Sequence, residues 1–260
     1  MFRVLPPYGG DQRAVAEIVN GIMNGKTNNT GTVTLATGNA TTTTINDARI
    51  GSDSKVIVIP YSAAAYTDST PYGAFQDSTD QAAASTTSAY AITFDTTDYS
   101  NGVTISSGSR INVKNAGVYN IQFSIQFKNT TNDSQDVDVW FRKNGTNIDK
   151  SNSRFGLAPR KTAGDPYHTI GSLNYFVDLA ANDYVEVMWR ASNTGVSIEQ
   201  HPADTSPTRP SVPSVILTVS YVNSSTTANT YVSALGKGTA TLTHFANSTA
   251  NKTYAYVIVG

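Results

Sequence analysis

From Tyr119 to Phe127 the chain alternates strictly: Tyr119, Ile121, Phe123, Ile125 and Phe127 are apolar, and Asn120, Gln122, Ser124 and Gln126 stand between them. A period of two puts the apolar set on one face of a strand and the polar set on the other. Similar runs recur at short, regular spacing: 90 to 94, 102 to 113, 136 to 143, 171 to 179, 183 to 191, 196 to 200 and 212 to 222. Eight or so strands separated by turn residues predict a two-sheet antiparallel sandwich over 67 to 223.

The flanks alternate too, but neither half is sufficient. Val33 and Leu35 alternate with Thr32 and Thr34, and Val56 to Ile59 form an apolar run stopped by Pro60. The polar tract between them holds one further strand. Three strands do not close a core. Strands around Tyr231 and Val232, over 239 to 243 and over 254 to 259 supply what is missing. We therefore expect one small discontinuous β-domain, 30 to 66 plus 224 to 260, with the larger sandwich inserted in a loop. The segments "YSAAAYTDSTPYGAF" and "NSSTTANT" are small and polar, and read as hinges between the two.

Before these strands the period changes. Pro6, Pro7, Gly9 and Gly10 make residues 1 to 10 an extended arm. Asp11 then caps a helix whose Val15, Ile18, Val19 and Ile22 fall at helical spacing, with Gly25 as its stop. So short a helix is marginal alone. Its stripe needs a partner, either the small β-domain or copies of itself about a symmetry axis.

Not every strand alternates cleanly. Where Val137, Val139 and Phe141 face inward, Trp140 faces out; Phe176 does so between Tyr175 and Val177, and Tyr184 and Met188 do so beside Val185, Val187 and Trp189. Bulky side chains on a nominally wet face predict either a subunit interface or a cover of loops or of the smaller domain. We expect Trp140, Phe176, Tyr184 and Met188 at an interface between copies of the chain.

Composition narrows the function classes. A charged fraction of 14% with abundant Thr, Ser and Asn suits a neutral, hydroxyl-rich β surface. The formal net charge of -1 supplies no field to draw the chain onto phosphate backbones or anionic lipid, so neither nucleic acid nor membrane is an expected partner. With no cysteine, thiol chemistry and disulfides are excluded. The N-terminus lacks the apolar region of a signal peptide, and no run is long enough to span a bilayer.

Three stretches carry a resemblance. "WFRKNGTNI" at 140 to 148, the run 183 to 200, and "SPTRPSVPSVILTV" at 206 to 219 resemble the C1q/TNF-like jelly rolls of bacteriophage virion proteins, a likeness spanning residues 73 to 222. The flanks look like a small phage β-module in which "GTVTL…DAR…VI…P…A" normally runs directly into "TYVSA…GTATLTH…YVIVG". Here the match breaks after Ala65 and resumes near Thr230. The start, "LPPYGGDQRAVAEIVNGIMNGK", is similar to the N-termini of small phage appendage proteins. The resemblance implies a homotrimer of ten-stranded jelly rolls about a threefold axis. It also implies a virion anchor in residues 1 to 29, involving Leu5, Pro6, Pro7, Tyr8, Val15, Ile18, Val19 and Ile22.

Catalytic signals are weak. His168, His201 and His244 sit in three separate segments without paired spacing, which reads as loop and surface histidines and not as a zinc site. Asp77 with Asp80, Asp95 with Asp98, and Asp133, Asp136 and Asp138 form acid clusters of the kind glycan cleavage uses, but they lie in turn-rich stretches where Asp serves the backbone. No stretch follows the EF-hand loop, although some C1q-like domains bind Ca2+. We expect no enzyme, no cofactor and no dedicated metal. Binding is expected at the loop tips 129 to 136, 144 to 170 and 192 to 211, with Arg154, Arg160 and Tyr167 as candidate ligand residues for a host glycan or protein.

The expectation is an all-β chain, a C1q/TNF-like jelly-roll sandwich inserted into a small discontinuous β-domain after a short N-terminal helix. It would be a homotrimeric fibre or appendage of the virion, joined to portal, adaptor, tail or capsid proteins and displaying the jelly roll for host attachment. The alternative is a capsid decoration or cement protein with no host-binding role.

Overall fold

A computed structural model describes residues 11 to 23, 29 to 66, 70 to 222 and 230 to 260. The chain is all-β, with 57% strand against 6% helix, and its larger part is jelly-roll-like. It divides into two compact units, Met1–Asp68 with Thr227–Gly260, and Ser69–Thr226.

The smaller unit has two three-stranded sheets. One orders Thr30–Thr34, Thr253–Val259 and Lys55–Pro60; the other orders Ala40–Asn46, Thr239–Asn247 and Thr230–Gly236. In each sheet the middle strand comes from the C-terminal segment. Neither segment alone forms a complete sheet: the N-terminal strands would lose the middle strand that satisfies their backbone hydrogen bonds, and the C-terminal segment would keep only one pair, Thr230–Gly236 with Thr239–Asn247. Leu35, Ile45, Ile50, Leu242, Tyr254 and Ile258 meet between the sheets as the core.

The helix Gln12–Met23 starts as its sequence dictates: Asp11 Oδ1 accepts the Ala14 N–H at 2.7 Å, an N-cap. It buries no residue. Val15, Val19 and Ile22 are exposed and Ile18 is half-buried, so the apolar stripe lacks a covering partner among the described residues.

The larger unit stacks two seven-stranded sheets around one core. The front sheet is centred on Gly117–Asn129. Tyr167–Leu179 pairs along its full length and forms one edge. On its other side lie Val215–Tyr221 and Val196–Ile198, then Tyr72–Asp77 and Gln81–Ala82, with Thr96–Asn101 at the far edge. The back sheet runs Val103–Ser106, Arg110–Val113, Tyr184–Ala191 and Gln135–Lys143; Ser153–Leu157 and Thr146–Asn147 cover its last edge, and Tyr90–Ala91 adds to Tyr184–Ala191.

Aromatic side chains lock the two layers together. Phe141 of the back sheet stacks on Tyr175 of the front sheet, centroids 4.9 Å apart and planes at 19°, and lies 6.1 Å from Phe123. Trp189, Tyr119, Phe75 and Phe127 complete the large fully buried set. Gly117 opens the central strand at φ 147, where a Cβ would meet the Tyr221 ring at 2.3 Å, so only glycine fits.

Five features depart from the sequence reading. The stretch 102 to 113 is a hairpin and not one strand, because Ser107 and Gly108 take positive φ and turn the chain. Tyr72–Asp77, whose start falls in the small, polar segment read as a hinge, is an inner strand of the front sheet. Thr96–Asn101 and Ser153–Leu157 were hidden by polar residues typical of edge strands. The proline-rich loop before Val215 holds a small hairpin, Asp204–Thr205 with Thr208–Arg209.

The ends of the larger unit run side by side. Tyr72 pairs with Ser220, and the Tyr221 N–H donates to the Pro71 carbonyl at 3.0 Å. A domain whose entry and exit strands are neighbours fits into a single loop of another without separating that loop's ends.

Candidate functional site

The expected interface residues do not share one sheet. Trp140, Tyr184 and Met188 lie on the back sheet, whereas Phe176 lies on the edge strand of the front sheet. Met188, expected at an interface, is only 2% exposed. It sits between Trp140 and Ala91 in the cross-strand register, so its own neighbours cover it. Tyr184 is engaged within the chain, with the Arg110 guanidinium 4.5 Å above its ring.

The outer side of the back sheet is a closed network of charges. Asp138 accepts Arg154 Nε at 2.8 Å and Arg190 Nη2 at 2.8 Å. Glu186 accepts Arg142 Nε and Nη2 at 3.0 and 2.9 Å on one oxygen, and Ser109 Oγ at 3.0 Å on the other. Arg154, expected in a ligand loop, is thus a strand residue committed to Asp138. Its hydrogen bond holds the Asp138 carboxyl below the ordinary carboxylate value, opposed by burial and helped by Arg190. A carboxyl with a depressed folded-state value stabilises above the unfolded value of about 3.9 and loses that contribution as pH falls through the folded value. Asp138→Asn should therefore lower the urea midpoint at pH 7 by more than at pH 3. A gap of equal size at both pH values would remove the ionic role.

Beside this network lies an open cleft of about 480 Å³, lined by Asp138, Trp140, Asn147, Ile148, Lys150 and Arg190. Trp140 Nε1 donates to Asn147 Oδ1 at 2.8 Å, which holds the indole in place over the hairpin. That hairpin turns at Asn144 and Gly145, φ 48 and 82, the left-handed pair a tight two-residue turn requires. An aromatic plane among amide, acid and base groups is chemically suited to sugars or polar peptide.

The front sheet presents the opposite character. Its outer face carries Tyr72, Tyr99, Ile170, Phe176 and Ile216, set among Asn, Gln, Ser and Thr. Phe176, Tyr99 and Ile170 are 56%, 69% and 60% exposed. These five are all the strongly exposed large apolar side chains among the larger unit's described residues, and all five lie on this one face. The charge network accounts for the difference: the back face satisfies itself, and the front face does not.

Three expected binding loops do converge at one end of the sandwich. The Arg160 N–H donates to the Thr131 carbonyl at 2.9 Å and Arg160 Nε to Asn132 Oδ1 at 2.8 Å; the Thr130 N–H donates to the Gly195 carbonyl at 3.0 Å. Arg160 therefore ties two loops together. Tyr167 is not a loop tip: it begins the edge strand, half-buried against the core.

The acids Asp77, Asp80, Asp95 and Asp98 are held by hydrogen bonds within the larger unit. Asp77 accepts Thr79 N–H and Thr93 Oγ1, Asp80 accepts the Gln200 N–H, Asp95 the Ser78 N–H and Asp98 the Gln76 amide. The histidine reading needs correction. His244 is buried, bonded to Thr43 Oγ1 at 2.8 Å and to the Phe245 carbonyl at 2.7 Å. His168 and His201, 33 positions apart in sequence, come together with ring centroids 5.3 Å apart. Only the pairing of Gly117–Asn129 with strands on both sides makes them neighbours, and no local spacing signals it.

Leu5, Pro6, Pro7 and Tyr8 lie outside the described residues, while Val15, Ile18, Val19 and Ile22 form the uncovered helix stripe. No helix among the described residues is long and apolar enough to cross a membrane. Compared with protein-family models and with curated proteins, the sequence matches none.

Proposed function

We propose that the chain is a bacteriophage virion structural protein, a homotrimeric fibre or appendage that displays a C1q/TNF-like jelly roll for attachment to the host surface. The apolar front face carries this reading. Five large apolar side chains gathered on one sheet form the kind of patch that self-association covers, and a jelly roll-like unit that uses a sheet face this way assembles about an axis. The interface belongs to the front sheet through Phe176, Ile170 and their neighbours, and not to the back sheet through Trp140, Tyr184 and Met188.

The division of the chain supports a mounting part and a displayed part. The smaller unit and the uncovered stripe of Gln12–Met23 offer the attachment to portal, adaptor, tail or capsid proteins; the larger unit carries the Trp140 cleft. Three such clefts on one particle would gain by multivalency what each lacks alone. A decoration protein is the second reading, and the cleft is what favours attachment over it.

Light scattering on the purified chain is expected to give the mass of three chains. A stable monomer would remove the trimer and, with it, the fibre. Binding of the purified trimer to host cells separates an attachment protein from a decoration protein, which would bind virions alone.

A further inference from the structure

We propose that His168, Glu199 and His201 form a binding site for a first-row divalent transition cation of the zinc type. Glu199 Oε2 lies 3.2 Å from His168 Nδ1 and 3.7 Å from His201 Nε2, and the three ligand atoms all fall within 4.8 Å of one another. Ligands about 2.0 to 2.2 Å from a tetrahedral zinc stand about 3.3 Å apart, so an ion fits among these atoms after small side-chain rotations. Two imidazoles and one carboxylate are the donor set that zinc-like ions take, with a fourth position left for water.

The charges and burial point the same way. Glu199 Oε1 is held by the Lys128 ammonium, while Glu199 Oε2 is buried and accepts no hydrogen bond. A buried carboxylate oxygen without a donor is costly, and a cation at that oxygen removes the cost. Lys128 then acts as the outer group that orients the ligand carboxylate, as partners behind metal ligands commonly do. The two histidines remain half-exposed, so an ion reaches the site from solvent.

Topology explains what the ion would do. Lys128 on the central strand pairs with His168 on one side and with Ser197 on the other, and the Glu199 N–H donates to the Gln126 carbonyl. An ion bridging His168 to Glu199 and His201 therefore clamps the edge strand Tyr167–Leu179 across the central strand to the segment that follows Val196–Ile198. The clamp sits one outward position from Ile170, at the margin of the apolar front face. All three ligands come from one chain, so the site stands or falls independently of the trimer.

The test is calorimetric titration of the untagged, chelator-stripped full chain with Zn2+ alone, repeated on His168→Ala and His201→Ala. The expected result is saturable binding of one ion per chain, weakened at least about tenfold in each variant, with zinc raising the melting temperature of the parent only. Far-UV circular dichroism of the variants should overlay the parent, since both side chains are at the surface. Substituting Co2+ should give the intense visible bands of four-coordinate cobalt. No saturable binding in the parent, or equal binding in parent and variants, overturns the site and leaves the histidines as neighbours of Glu199 only.

Discussion

In the proposed trimer, Phe176→Arg is expected to separate the three chains into folded single chains. Phe176 lies at the edge of the front face with Asn120, Ser220 and Tyr72 in the same cross-strand row. A guanidinium forced into a covered apolar patch without a partner costs several kcal/mol per copy, and a symmetric assembly incurs that cost at every interface. Because Phe176 is 56% exposed within the chain, its replacement should leave the melting temperature of the isolated larger unit nearly unchanged. The matched control is Trp140→Arg on the back sheet, which should keep the three-chain mass. Light scattering reads both. A Phe176→Arg protein that retains the parent mass would take the front face out of assembly.

Phe141→Ala should produce a large loss of stability. The ring is fully buried, stacked on Tyr175 and set beside Phe123, so it joins the back sheet to the front sheet at the middle of the core. Removing such a ring costs about 3 to 5 kcal/mol in transfer and cavity terms. For a unit of this size that corresponds to a fall of roughly 6 to 20 °C in melting temperature. Differential scanning calorimetry should show the shift in the transition of the larger unit. A shift of a degree or two would mean that the core collapses around the gap and that the stack contributes little.

The pattern of single side chains made much of the architecture readable. Strict alternation over Tyr119 to Phe127 assigned the central strand and its inner face, because a half-buried strand must obey the period of its backbone. Asp11 marked the helix start, because a carboxylate before a run of unpaired N–H groups has one evident use. The deficit of strands in each flank implied a shared core, and the smaller unit's middle strands, Thr239–Asn247 and Thr253–Val259, come from the far segment.

Other features were unreadable for definite reasons. Tyr72–Asp77 carries Gly73 and Gln76, which argue for a loop until Val215–Tyr221 supplies its hydrogen bonds. Met188 looks outward by period, yet neighbours on adjacent strands cover it, and a period describes direction without describing what stands there. The same holds for Trp140 and Phe176. Both face away from the core, but one closes a polar cleft in a self-satisfied face and the other stands in an apolar patch.

By itself the sequence determined the all-β class, the large strands, the helix cap and the absence of thiol chemistry, since these follow from local period, turn chemistry and composition. Tertiary structure alone decided which face is left unsatisfied and which distant groups meet. His168 and His201 are separated by two strand crossings, and only the register of Gly117–Asn129 with its neighbours aims them at one carboxylate oxygen. Side-chain chemistry is written residue by residue, whereas a site requires convergence, and convergence is set by long-range pairing.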